Sequence, residues 1–155
     1  MIGINGLGRI GRLLLRRLAS SAPHRLAALN DPADLETLVH LLRFDSVHGP
    51  SPLPVSGRRV GDQDWLRFGD LDLPLHHAQD PADIPWVGPR VVVEASGRFV
   101  ARVDAARHLR GGVSHVVISA PSPDPDLTVI APVNGSGLDL RNHRILSNGS
   151  CTAHA

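Results

Sequence analysis

The sequence predicts an α/β fold in which helices cover both faces of a doubly wound parallel sheet, with a small antiparallel insertion. Two observations indicate this fold. Apolar runs of strand length alternate along the chain with segments whose apolar residues recur at helical spacing. A glycine-rich turn also joins the first strand to the first helix. With 155 residues, the chain is expected to form a single domain spanning residues 1–155.

The first strand and its turn are the most informative stretch. Ile2 and Ile4 alternate with small or polar residues, which predicts a short buried strand. Gly6, Gly8 and Gly11 follow at the spacing G-x-G-x-x-G. The first glycine allows a tight turn, the second lets the backbone approach a pyrophosphate, and the third lets the helix pack on the strand. Because the helix N-terminus then offers N–H groups to phosphate, this Rossmann-type turn predicts a dinucleotide site.

The first helix is predicted over residues 9–18. Four apolar residues are expected to share its buried face, namely Ile10, Leu13, Leu14 and Leu18. Three arginines are expected to form a solvated face opposite, namely Arg12, Arg16 and Arg17.

The second strand ends at an acidic residue. Residues 26–29 form a continuous apolar run, which is typical of a strand buried on both faces of a parallel sheet. Asp31 follows, about twenty residues beyond the glycines, where such folds bind ribose. Its carboxylate can accept from both ribose hydroxyls and would repel a 2′-phosphate, which favours NAD over NADP. The alternative is that Asp31 caps the next helix, for which Asp34 is the better candidate.

The later elements complete the prediction. Helices are expected over residues 35–42 and 100–109, the second ended by Gly111 and Gly112. Strands are expected over residues 91–94 and 115–119. Residues 55–77 predict the antiparallel insertion, with a hairpin turn at Gly69 and Asp70.

Composition excludes several classes of function. The net charge of +1 gives no reason to expect nucleic acid or an anionic membrane as a partner. Lysine is absent, which excludes a lysine nucleophile and Schiff-base chemistry in this chain. The nine histidines show no metal-ligand spacing, so no metal is expected. No apolar run reaches the length of a membrane span, and the N-terminus enters the first strand without room for a signal peptide. With one cysteine and therefore no internal disulfide, we expect a soluble, cytoplasmic protein.

The single cysteine lies near the C-terminus, in the run Ser-Asn-Gly-Ser-Cys-Thr at residues 147–152. A lone cysteine is more often a small buried hydrophobe than a nucleophile. Cys151 follows a strand and a polar turn, at a point where a helix could begin, and a helix N-terminus lowers the pKa of a thiol. Both interpretations stay open from the residues alone.

Seven motifs together identify a family: INGLGRIGR at 4–12, NDP at 30–32, DSVHG at 45–49, EASG at 94–97, ISAPS at 118–122, VN at 133–134 and SNGSCT at 147–152. In this order and at this spacing, they resemble the N-terminal half of the phosphorylating glyceraldehyde-3-phosphate dehydrogenases. The resemblance covers the whole chain.

This resemblance implies NAD as the cofactor. Arg9 and Ile10 would contact its pyrophosphate, Asp31 would hold the adenosine ribose, and Ser119 would line the nicotinamide end. The full set of cofactor-binding residues implied in this way is Gly6, Gly8, Arg9, Ile10, Gly11, Asp31, Gln79, Ser96, Gly97 and Ser119.

The resemblance also implies chemistry at Cys151, with Ser150 and Thr152 beside it in the substrate site. The thiolate would attack the aldehyde of glyceraldehyde 3-phosphate, hydride would pass to NAD, and inorganic phosphate would release the thioester as an acyl phosphate. The full-length enzyme would be a homotetramer.

Three departures separate the chain from the family pattern. Gln79 stands where the family has an arginine that contacts the cofactor, and Thr152 to Ala155 replace Thr-Thr-Asn-Cys. The family's catalytic histidine and its second, catalytic domain have no counterpart in these 155 residues. Two alternatives therefore remain: a stand-alone NAD-binding module without turnover, and a dehydrogenase of the same superfamily acting on erythrose 4-phosphate.

Overall fold

The structure is a computed structural model that describes residues 1–150. Four α-helices lie in this range: α1 Arg9–Ser21, α2 Leu35–Arg43, α3 Arg102–Ala105 and α4 Ala131–Asn134. The strands are β1 Ile2–Asn5, β2 Leu26–Asn30, β3 Phe44–Asp45, β4 Gly49–Pro50, β5 Val55–Val60, β6 Gln63–Phe68, β7 Leu71–His76, β8 Val91–Glu94, β9 His115–Ile118, β10 Leu127–Thr128 and β11 Ile145–Ser147.

Most strands join one sheet, in the order β10-β11-β9-β8-β1-β2-β7-β6-β5. The run from β11 to β7 is parallel throughout and has the 3-2-1-4-5-6 order of doubly wound dinucleotide-binding folds. Beyond β7 in the sheet, β6 pairs antiparallel with β7 and β5 pairs antiparallel with β6, whereas β3 and β4 form a separate antiparallel pair. The predicted Rossmann-type fold class is confirmed.

The antiparallel insertion is continuous with the main sheet. Its predicted hairpin turn at Gly69 and Asp70 joins β6 to β7. β7 then pairs in parallel with β2, so that Leu75 lies opposite Leu29 and His76 opposite Asn30. This pairing brings the residues after β7 beside the carboxyl end of β2.

Helices α1 and α2 cover one face of the sheet. Their buried leucines pack with Ile4 of β1 and with Phe68 of the insertion. The opposite face carries Trp86, which packs on Ala28 and Val92, and helix α3 farther along. Within residues 1–150, no helix combines the length and apolar character needed to cross a membrane.

The expected buried face of α1 is partly wrong. Ile10 is 53% exposed and Leu13 is 42% exposed, whereas Leu15 is fully buried. The reason is Gly11, which packs directly against the glycine turn and so fixes the rotation of the helix. Residues four and seven positions beyond it, Leu15 and Leu18, then face the sheet.

The prediction that three arginines of α1 are solvated is also wrong for two of them, Arg12 and Arg16. The Arg12 guanidinium donates to the Leu7 carbonyl and lies 3.7 Å from the Asp45 carboxylate. The Arg16 guanidinium donates to two backbone carbonyls in the α2–β4 region. These arginines tie α1 to neighbouring segments because their long side chains reach the carbonyls of Leu7 before α1, Leu42 near the end of α2 and Gly49 in β4.

The helix expected over residues 100–109 is shorter. Helix α3 has four residues and continues as a 3-10 turn at Ala106–His108. The tighter turn delivers the fully buried His108 to partners beneath the sheet ends. The contact of His108 with Glu94, which is not local in the chain, therefore outweighs the helical pattern.

Candidate dinucleotide-binding site

A cleft of about 190 Å³ opens at the carboxyl ends of β1, β2 and β8. It lies where the strand order reverses, which is the position at which doubly wound sheets bind ligands. Five of the residues predicted from the sequence line it: Gly6, Gly8, Asp31, Gln79 and Ser96. Asn5, Asn30, Pro32, Ala78, Ala95, Arg98 and Phe99 complete its lining.

The turn after β1 is possible only with glycine at two positions. Gly6 has φ +90°, and a Cβ there would lie 2.5 Å from the backbone nitrogen of Ser96. A Cβ on Gly11 would lie 1.9 Å from the Gly6 carbonyl oxygen. Because neither backbone neighbour can yield, these glycines bring β1, α1 and the end of β8 into close contact.

Gly8 differs from the other two because a Cβ there would meet no protein atom within 4 Å among the residues described. It would project from the cleft lining, so its absence leaves the space above the α1 N-terminus open. The first turn of α1 carries no acidic residue, and Arg9 and Ile10 are exposed there. Open backbone, a positive dipole end and an arginine fit a pyrophosphate.

The Asp31 carboxylate is shared between the turn and the cleft. One oxygen accepts from the Leu7 N–H at 2.7 Å and the other from the Ala33 N–H at 2.9 Å. Each carboxylate oxygen has a second lone pair, so both can still accept from a ribose diol. Asp34, and not Asp31, caps α2 by accepting from the Thr37 N–H, as expected.

The remaining predicted residues lie around this edge of the sheet. Gln79 is exposed at the cleft rim, and Gly97 is exposed with φ +73° just beyond Ser96. Ser119 follows β9 and donates its N–H to the Glu94 carbonyl, outside the cleft lining. Half-buried Ser150 follows β11.

A buried polar network behind the cleft was not predicted from the sequence. Asn30 donates to the Asn5 side-chain oxygen at 2.8 Å, and Asn5 donates to a Glu94 carboxylate oxygen. The N–H and hydroxyl of Ser96 both donate to the other Glu94 oxygen. Asn30 also exchanges two hydrogen bonds with the backbone of Ala78. The network therefore joins the ends of β1, β2 and β8 through side chains.

His108 completes the network from the α3 side. The Trp86 indole N–H donates to His108 Nδ1 at 3.2 Å, so that nitrogen carries no proton. The proton is on Nε2, which lies 2.9 Å from Glu94 and donates to it. The sequence signal for this network was the run of polar residues at the carboxyl ends of otherwise apolar strands, namely Asn5, Asn30 and Glu94.

The cysteine motif begins at the same edge of the sheet. The Ser147 hydroxyl donates to the Ala120 carbonyl and accepts from the Gly149 N–H, while the Asn148 N–H donates to the Ile118 carbonyl. The predicted nucleophile Cys151 and its neighbour Thr152 lie outside the described residues. Among residues 1–150, no three histidine, cysteine or acidic side chains are grouped to hold a metal ion.

Comparison with known proteins gives one consistent result. The family profile described as glyceraldehyde 3-phosphate dehydrogenase, NAD binding domain, matches residues 1–102. The chain is 41% identical over 155 residues to glyceraldehyde-3-phosphate dehydrogenase 1 of Bacillus cereus. It is 39% identical over 155 residues to the glyceraldehyde-3-phosphate dehydrogenase of Geobacillus stearothermophilus and 38% over 156 residues to that of Streptomyces coelicolor. Each comparison covers 99% of this chain but 45% of the relative, so the chain spans under half their length.

Proposed function

The chain belongs to the glyceraldehyde 3-phosphate dehydrogenase family through its NAD-binding domain, and from this we propose that it serves the oxidative phosphorylation of glyceraldehyde 3-phosphate. The observation that carries the proposal is the cleft at the strand-order reversal. Gly8, the N-terminus of α1 and the Asp31 carboxylate all lie at this cleft, and the space next to Gly8 is open.

The chain's own residues divide the work of holding NAD. Gly8 and the first turn of α1 receive the pyrophosphate, with Arg9 as its counter-charge and Ile10 beside it. Asp31 accepts from the adenosine ribose, and Gln79 lies toward the adenine. Gly6 and Gly11 shape the turn, Ser96 and Gly97 also contact the cofactor, and Ser119 lines the nicotinamide end. Bound NAD supplies a hydride acceptor.

In the proposed reaction, Cys151 is the nucleophile and Ser150 and Thr152 hold substrate beside it. The thiolate sulfur forms a bond to the aldehyde carbon. As this bond forms, the carbonyl oxygen takes a proton from the protonated form of a base. Return of that proton to the base, with transfer of hydride from the carbon to the acceptor that bound NAD would supply, then leaves a thioester. Inorganic phosphate then attacks the thioester carbon, the carbon–sulfur bond breaks, and an acyl phosphate and the thiolate result.

The proposal extends to the organisation of the enzyme. Residues 1–155 form a single NAD-binding domain, which is supported by the one sheet that runs from the insertion to β11. A second, catalytic domain supplies the base, and the complete enzyme is a cytoplasmic homotetramer.

A chimera tests the function directly. The chain is fused to the part of the Bacillus cereus relative that follows its matched segment, and NADH formation is followed at 340 nm, the usual NADH wavelength. We expect NADH formation that requires both glyceraldehyde 3-phosphate and inorganic phosphate. The same chimera carrying Cys151→Ser is the matched control and should be inactive. A folded, NAD-binding chimera without phosphate-dependent turnover would contradict the proposal.

A further inference from the structure

His77 connects the cleft to an ion pair in the insertion, between the buried Asp64 carboxylate and the exposed Arg59 guanidinium. Its Nδ1 lies 3.0 Å from the Asp31 carbonyl oxygen, and its Nε2 lies 3.1 Å from an Asp64 carboxylate oxygen. The Asp64 side chain is 2% exposed and also receives two hydrogen bonds from the Arg59 guanidinium. His77 thus bridges the residue that carries the ribose-facing carboxylate and the β5–β6 hairpin.

Both partners of the His77 ring are acceptors. A carbonyl oxygen cannot donate, and the Arg59 guanidinium lowers the pKa of Asp64, so that carboxylate is ionised and cannot donate either. Both contacts are therefore satisfied together only when both ring nitrogens carry protons. A neutral ring has a single N–H, so at one of the two contacts a ring nitrogen lone pair points at an oxygen lone pair.

The carboxylate is the stronger acceptor, because hydrogen bonds to charged groups are the stronger ones. A neutral His77 therefore keeps its bond to Asp64 and loses its bond to the Asp31 carbonyl. The Asp31 N–H already donates to the His76 carbonyl. When His77 is charged, the Asp31 carbonyl also accepts from the His77 ring, so both backbone groups of Asp31 are bonded to the end of β7. The Asp31 side chain in turn holds the Leu7 N–H of the glycine turn.

Charged groups surround the Asp64 carboxylate that the His77 ring contacts. Asp34 and Glu36 of α2 line a cavity together with Arg59 of β5 and Asp64 of β6. Asp31 follows β2, and His76, on the same strand end, is a partly buried neighbour whose pKa is lowered by burial and by the charge of His77. The His77 ring thus lies between two acceptors, one of which it shares with the Arg59 guanidinium.

We propose that His77 is a positioning residue that makes the NAD site pH-sensitive. The protonated ring donates to the Asp31 carbonyl and so holds Asp31 in place, and the neutral ring loses this hydrogen bond. This inference rests on the proposed NAD function. Affinity for NAD should fall as pH rises and the His77 ring loses one of its two ring protons. The fall should be roughly three- to tenfold, the size expected for one hydrogen bond acting through the Asp31 turn.

Nuclear magnetic resonance tests the coupling without cofactor. The ring nitrogens of His77 and the backbone N–H of Leu7 are followed from about pH 5.5 to pH 8.5, a range that brackets imidazole titration. We expect both ring nitrogens to be protonated at the acidic end, and the Leu7 signal to move with the same midpoint as the His77 ring. A Leu7 signal that does not follow His77, or that shows the same step in His77→Asn, overturns the proposal even if NAD does not bind.

Calorimetry then tests the effect on binding. Asn at position 77 offers an amide N–H to the Asp31 carbonyl at every pH, so His77→Asn should bind NAD with little pH dependence and near the affinity of the parent at about pH 6. His77→Leu offers no donor and should bind weakly at every pH. His24→Asn, on the exposed turn before β2, is the control and should keep the parent's pH dependence. Equal pH dependence in the parent and His77→Asn would overturn the proposal, whereas no binding by any variant would contradict the proposed NAD function.

Discussion

At the scale of single residues, the cleft depends on side chains that hold the backbone and face the ligand at once. Asp31 shows this most clearly, because its two oxygens accept from Leu7 and Ala33 while the side chain lines the cleft. A residue with both tasks is pre-positioned before a ligand arrives. Its loss should therefore affect binding more than an isolated surface carboxylate would.

Asp31→Ala should weaken NAD binding by about 1.5–3 kcal/mol, the usual value of a hydrogen bond to a charged group. Titration calorimetry measures the loss, and the parent chain should prefer NAD to NADP because the carboxylate repels a 2′-phosphate. Asp34→Ala removes a carboxylate that caps α2 but does not line the cleft, and should leave affinity unchanged. Equal affinity of the parent for NADP and NAD would refute this role of Asp31.

Gln79→Arg should tighten NAD binding and make it more sensitive to salt. Gln79 is exposed at the cleft rim, so a guanidinium there would reach a bound phosphate or the adenine, and added salt would screen the new charge. Affinities at low and high ionic strength measure both effects. Val87→Arg adds the same charge at an exposed position before β8, away from the cleft, and should have no such effect. If the two variants behave alike, Gln79 is not part of the site.

At the scale of elements, different glycines of the turn after β1 serve folding and binding. Gly11→Ala should destabilise the fold, because its methyl would meet the Gly6 carbonyl. Gly8→Ala should keep the parent's stability, since its φ of −67° suits alanine and its Cβ would enter open space, yet it should weaken NAD binding by obstructing the pyrophosphate. Urea unfolding and calorimetry on both variants check this. Normal NAD affinity in a folded Gly8→Ala would disprove the pyrophosphate position.

Sequence patterns predicted most elements and the edge of the sheet where the cleft lies, because strand runs, glycine spacing and turn residues are local signals. They failed where individual packing and hydrogen-bond contacts decide. The rotation of α1 depends on the packing of Gly11 against Gly6. The early end of α3 depends on His108 reaching Glu94, fourteen positions away in the chain. Neither contact leaves a periodic trace in the sequence.

At the scale of the whole molecule, the 155-residue chain alone should not form NADH from glyceraldehyde 3-phosphate. The chain covers 45% of its relatives, and in the proposed reaction the base belongs to the remainder. Loss of a general base typically lowers the rate by ~10²–10⁴, and loss of substrate positioning lowers it further. NADH formation at 340 nm, the usual NADH wavelength, should not exceed that of Cys151→Ser. Steady, phosphate-dependent formation above this control would show that these residues supply every catalytic group.

The side-chain network from Asn30 through Asn5 to Glu94 has a thermodynamic consequence for the free protein. Because it ties three strand ends together before any ligand is present, the conformational entropy of those ends is lost on folding and not on cofactor binding. Calorimetry at several temperatures should therefore give a binding heat capacity that reflects cofactor burial alone, without the large negative value of coupled folding. Asn5→Ala should make it more negative, because part of that ordering would then be deferred until NAD arrives.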